Sequence, residues 1–212
     1  MNKKIMFSSL VLALLATDIY AKNQCNGEYN GSYGHRYNVK NKFSPNKAVD
    51  IKVCSVNLPP VWRVSLKKAV SYLNRDLRSS DSYLRFSFGR TYDRSCEVKV
   101  DMHTFKQWEA PSYQSDLKKV LAKTTMRGEY PRRISVNKKA SVKGSYTIQH
   151  VFMHEILHAV GLGHTGTSEY KLINGTVDYS EKQKSMMCSI TSKKYPTRKL
   201  NALDKLALDI LY

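Results

Sequence analysis

Residues 154–164 read HEILHAVGLGH, and no other stretch restricts the fold of this chain as tightly. His154 and His158 stand four apart, so a helix projects both imidazoles from one face, one turn above the other. Glu155 lies beside His154, about 100° further round the helix. Gly161 can take the left-handed conformation that ends a helix and turns the chain. That turn lets His164 return toward the histidine pair. Three imidazoles so arranged suit one Zn2+ ion, each at about 2.0–2.1 Å, with a fourth position left for water as in catalytic sites. Glu155 is then a base within reach of that water and not a ligand. Five fixed residues would coincide by chance in a chain of this size with a probability on the order of 10⁻⁵. His150 reads as a packed or solvated residue of the same helix, while His103 and His35 fall in strand and loop contexts and form no second cluster.

The rest of the chain must hold such a helix in a core. Its 212 residues favour one domain, and 42% hydrophobic with 25% charged residues exclude disorder as the main state. Residues 48–56 (AVDIKVCSV) alternate as a half-buried strand does, and Pro59-Pro60 then open a helix of about five turns. Its expected apolar stripe is Val61, Val64, Leu66, Val70, Leu73 and Leu77. Residues 83–88 and 97–102 alternate again. Residues 133–137 (RISVN), flanked by Pro131 and by Lys138 and Lys139, read as a sheet-edge strand. Helices are expected over 146–160 and 201–211, the last capped by Asn201 and burying Leu203, Leu206, Ala207 and Ile210. This order of elements predicts an α+β domain, a single twisted sheet with helices against it.

The N-terminus carries an address. Residues 1–21 pair Lys3 and Lys4 with a 12-residue apolar run from Ile5 to Ala16, and small Ala21 sits where a signal peptidase can cut. That run is too short for a span of about 30 Å, so it reads as a signal peptide and not as a retained anchor. Residues 22–47 read as an irregular arm or short pro-segment, and 48–212 as the catalytic domain. Losing Lys3, Lys4 and Asp18 changes the net charge only from +18 to +17. Cys25, Cys54, Cys96 and Cys188 all survive, and an even count in an exported chain reads as two disulfides with three connectivities open. Cys25 has a second reading, as a thiolate capping the metal of a latent form. The expected location is secreted, or periplasmic in a bacterium, with no transmembrane segment.

The motif of His154, Glu155, His158, Gly161 and His164 resembles the signature of the metzincin zinc endopeptidases. Met187, in Ser185-Met186-Met187-Cys188, resembles the methionine turn that lies under the zinc in that family, with Met186 the other choice. Thr165 after the third histidine, Ser189 two residues past Met187, and the ending LNALDKLALDILY look most like a minimal matrixin. The resemblance implies a zincin-like, mostly parallel sheet with one antiparallel edge strand. It also implies hydrolysis of peptide bonds, with His154, His158 and His164 as metal ligands and Glu155 as general base. Substrate would lie extended along residues 133–137, and residues 190–195 would wall a specificity pocket. The chain departs from matrixins in lacking a PRCGxPD switch and in a longer segment between His164 and Met187. Members also bind Ca2+, for which Asp178 is a candidate without a clear motif.

The positive charge speaks for anionic partners. Paired cations at 67–68, 118–119, 132–133, 138–139 and 193–194 are scattered and come with no aromatic-interleaved motif, so no specific nucleic acid is expected. The expected partner is a protein or peptide substrate of a monomer. Two alternatives remain: a binding protein for anionic surfaces on the same scaffold, and an amide hydrolase acting on cell-wall peptides.

Overall fold

The computed structural model describes residues 33–37, 43–91, 93–106, 120–125, 132–139, 144–162, 171–175, 186–187 and 198–212. In chain order the elements are β1 (Tyr33–Tyr37), α1 (Pro45–Ala48), β2 (Ile51–Ser55), α2 (Pro60–Leu77), β3 (Phe86–Gly89), β4 (Val98–His103), β5 (Ala122–Thr125), β6 (Arg132–Asn137), α3 (Ser145–Ala159), β7 (Lys171–Gly175) and α4 (Ala202–Leu211). The fold is mixed α and β, with a five-stranded sheet in the order β3-β2-β4-β6-β5. β2, β3, β4 and β6 run parallel, and β5 is antiparallel to β6 at one edge. A second, two-stranded sheet pairs β1 with β7, so the expectation of a single sheet is corrected. The signal segment 1–21, Cys25, Asp178 and residues 190–195 lie outside the described residues. Within the expected irregular arm, β1 and α1 are regular structure, and Phe43 is fully buried.

β6 is not the edge strand that its flanks promised. It lies between β4 and β5 and is bonded on both sides. Lys138 and Lys139 sit in the exposed turn after the strand, marking where the chain leaves the sheet and not an edge to be protected. The true antiparallel edge is β5, whose sequence AKTT is short and carries no alternating apolar pattern.

α2 starts on Pro60, whose fixed φ and missing N–H suit the first helical turn. Its buried face runs through Ser65, Leu66, Ala69, Val70, Leu73 and Leu77. Val61 and Val64 are 62% and 55% exposed, which corrects the expected stripe. The inward phase passes through half-buried Trp62 and Ser65, leaving both valines on the solvent side. α4 is likewise rotated from expectation. Asp204, Ala207, Leu208 and Leu211 face the core while Ile210 is 53% exposed.

α2 and α3 pack together on one face of the sheet, and α3 also touches β5 and β6. Phe152 of α3 is fully buried and meets Trp62 edge to face at 5.9 Å. The end of α3 is tied down twice. Buried Arg132 of β6 lies 3.7 Å over the Phe43 ring and donates to the Ala159 carbonyl. Tyr212 donates its hydroxyl proton to the Val160 carbonyl and accepts from the Phe43 N–H, each at 2.8 Å. Cys54 on β2 is bonded to Cys96, which excludes the two of the three open connectivities that gave each of them a different partner.

Candidate metal centre and active site

α3 carries both described histidines of the motif, and each ring is oriented by a main-chain carbonyl. His154 Nδ1 is 2.7 Å from Met186 O, and His158 Nδ1 is 2.7 Å from Leu162 O. A carbonyl only accepts, so each Nδ1 carries the proton and each lone pair sits on Nε2. This is the arrangement that fixes tautomer and ring direction in histidines that ligate metals. The two ring centroids are 4.5 Å apart at 90°.

The turn after the helix builds the second of these contacts. Gly161 has φ 104°, as its place in the motif requires, and it donates to His158 O while Leu162 donates to Leu157 O. This pair of bonds closes the helix in a Schellman motif, with Leu157 and Leu162 both buried beside it. The same turn delivers the Leu162 carbonyl to His158. Gly161 therefore acts on the site through geometry alone.

The first contact is built from α4. Met186 and Met187 form a fully buried turn. Asp204 Oδ2 accepts from Met186 N at 2.9 Å and from Asn201 N at 3.1 Å, while Asn201 Oδ1 accepts from Asp204 N at 2.8 Å. Asn201 is thus the expected cap, in a reciprocal capping box with Asp204. Asp204 carries a second duty that its place in a helix start does not reveal. It holds the backbone whose carbonyl orients His154.

Burial, first, and the neighbouring His158, second, hold the His154 pKa well below its ordinary 6.5, against the pull of the Met186 carbonyl. The neutral imidazole is the form that binds a metal. Glu155 is 7% exposed, and that burial raises its carboxyl from 4.5 to about 7, with the Thr124 hydroxyl bond acting in the opposite direction. Thr124 Oγ1 lies 2.5 Å from Glu155 Oε2 and 3.0 Å from Glu155 O. Nothing in the sequence pattern pointed to Thr124. His150 is packed, with its ring 6.3 Å from that of His154.

His164 lies outside the described residues, and among the described residues no group of three His, Cys, Asp or Glu side chains forms a metal site. His154 and His158 nonetheless fit a divalent ion by their donor chemistry: two imidazoles one helical turn apart, each tethered at Nδ1 by a main-chain carbonyl. Among the described residues no helix is long and apolar enough to cross a membrane.

The site defined by these residues is a helix-borne histidine pair with an adjacent buried carboxylate. No protein-family model and no curated protein matches the chain. Among solved structures, two of myroilysin are similar at 14% sequence identity. One covers 62% of this chain and 55% of the myroilysin chain with a TM-score of 0.39, and the other covers 81% and 86% with a TM-score of 0.44.

Proposed function

We propose that this chain is an exported zinc-dependent endopeptidase of the metzincin type. The observation that carries the reading is the pair of Nδ1-to-carbonyl bonds at His154 and His158, beside a buried carboxylate at Glu155. His154, His158 and His164 would hold the ion. When bound, zinc polarises a substrate carbonyl and lowers the pKa of water to about 7. Glu155 accepts the proton of the attacking water at its carboxylate and hands it to the departing amine nitrogen. Thr124 holds that carboxylate in place. The Cys54–Cys96 disulfide is in keeping with an oxidising compartment.

The peptide substrate would lie beside β5 and not beside β6. Leu121 O accepts from Asn137 N, so Leu121, Lys123 and Thr125 form the bonded positions of this antiparallel pair. Ala122 and Thr124 therefore turn their backbone groups to the open side, where an extended peptide can add as a strand. Thr124 thus joins the substrate edge to the base.

The experiment separates ligand from base. Glu155→Gln should keep about one zinc per molecule while hydrolysis falls roughly 10²–10⁴-fold with little change in KM. His158→Ala should lose the metal, because two ligands hold zinc poorly. Metal content by mass spectrometry and cleavage of a peptide are read on the same samples. Full activity in Glu155→Gln, or a wild type without zinc affinity, would overturn the proposal.

A further inference from the structure

The sheet has a second edge, at β3, far in topology from β5. In the β2–β3 ladder Ile51 donates to Arg85 O, so alternate residues of β3 face β2 while Phe86 and Phe88 turn their backbone groups outward. The outward groups of Phe86 are occupied by one side chain of α2. Asn74 Nδ2 donates to Phe86 O at 2.6 Å, and Phe86 N donates to Asn74 Oδ1 at 2.9 Å. The amide of Asn74 copies the pairing of a neighbouring strand for one residue and stops there. Among the described residues, Phe88 is left as the open position of this edge.

Beside Phe88 runs a groove of about 300 Å³ lined by Pro60, Arg63, Val64, Lys67, Phe88 and Arg90. The four α2 residues fall at spacings of three, four and seven, so they form one stripe of the helix. Val64 and Phe88 supply the apolar floor, and Arg63, Lys67 and Arg90 stand exposed around it. Among the described residues none of these three cations makes an ion pair. Arg63 and Lys67 are four apart on the helix, where like charges repel and are destabilising. A stripe that repels itself, around exposed apolar surface and an open strand edge, is complementary to an acidic chain with an apolar centre.

We propose that this groove is a docking site for an extended acidic peptide segment, which adds to β3 at Phe88 and places its carboxylates on Arg63, Lys67 and Arg90. Its apolar centre rests on Val64 and Phe88. Strand addition supplies main-chain hydrogen bonds, and the cations select the charge of the partner. The site uses no residue of the metal centre and stands or falls apart from the peptidase reading.

The test is fluorescence anisotropy with the full chain and a labelled nonapeptide, a Val-Leu-Val centre flanked on each side by three glutamates. Wild type should bind it, and Arg63→Glu/Lys67→Glu should weaken binding about tenfold or more. Lys138→Glu/Lys139→Glu makes the same change in net charge at an exposed turn and should alter affinity by less than about twofold. Lys67→Glu alone, which breaks no hydrogen bond of the fold, and a matching thermal unfolding curve keep a folding defect from imitating the result. Alternate N-methylation of the peptide should abolish binding. No binding by wild type, equal losses in the two charge variants, or retained binding of the N-methylated peptide would overturn the proposal. So would binding confined to phosphatidylglycerol vesicles and lost in Arg63→Glu/Lys67→Glu, which would assign the groove to a membrane surface.

Discussion

Thr124 Oγ1 stands 2.5 Å from Glu155 Oε2, joining the edge strand β5 to the carboxylate of the metal-site helix. The same hydroxyl reaches the backbone oxygen of Glu155, so it fixes both ends of that residue. Thr124→Val keeps the shape and removes the hydroxyl. It should lower kcat about tenfold through loss of positioning, with zinc content unchanged, and Thr124→Ser should restore most of the rate. An unaltered kcat in the valine variant would show that the bond does not serve the reaction.

The acidity of Glu155 can be read in the metal-free protein. Its pKa is about 7 when folded against 4.5 for the ordinary group, so the folded state holds more protons across that interval. Stability therefore falls as pH rises from 4.5 to about 7. The depressed pKa of His154 acts oppositely, with stability lost as pH falls below 6.5, but it is common to wild type and Glu155→Gln. The glutamine variant should thus match wild type near about pH 4 and exceed it by on the order of 1–3 kcal/mol near about pH 8. Urea unfolding in chelator at both pH values measures this, and a difference independent of pH would contradict it.

Asp204 and Asn201 cap the same helix, and Asp204 also accepts from the N–H of Met186, whose carbonyl orients His154. Asn201→Ala should cost about 1 kcal/mol with little effect on zinc affinity. Asp204→Ala should cost about 2–3 kcal/mol and weaken zinc binding 10- to 100-fold, the range for outer partners of metal ligands. Chelator competition and thermal unfolding separate the two effects. Equal zinc affinity in both variants would reduce Asp204 to a cap.

Cys54 and Cys96 are 42 residues apart, and closing a loop of that size constrains the unfolded chain by about 4 kcal/mol. Replacing both with serine should lower stability by that order. Gly89, opposite Cys54 in the ladder, leaves room for the bridge: a methyl there would come within 2.6 Å of Cys54 Sγ. Gly89→Ala should therefore cost about 1–3 kcal/mol in the oxidised protein. In the Cys54→Ser/Cys96→Ser background the same change should cost less, and an equal cost would exclude the proposed crowding.

Features that depend on near neighbours in the chain are legible in the sequence. The histidine spacing of α3, the glycine that ends it and the cap of α4 each depend on neighbours within a few residues. Long-range features are not. β5 holds one small residue, a lysine and two threonines, and becomes a strand because β6 pairs with it. The lysines after β6 imitate an edge signal while serving a turn. Val61 and Val64 are apolar yet face outward, since hydropathy fixes no helix phase when Trp62 and Ser65 lie on the inward side. Thr124 and Asp204 act on residues 31 and 18 positions away, a distance at which no local pattern gives warning.

The Tyr212 clamp sets an order in time. Its hydroxyl joins Phe43 to the end of α3 across separations of 169 and 52 residues, and the Met186 carbonyl reaches His154 across 32. Synthesis proceeds from the N-terminus, so His154 exists before the carbonyl that aims it, whereas His158 is aimed locally by Leu162. Contacts so remote in sequence also form slowly. A nascent chain thus carries the motif without the orientation of His154, and the peptidase proposed here would become competent only after α4 has docked.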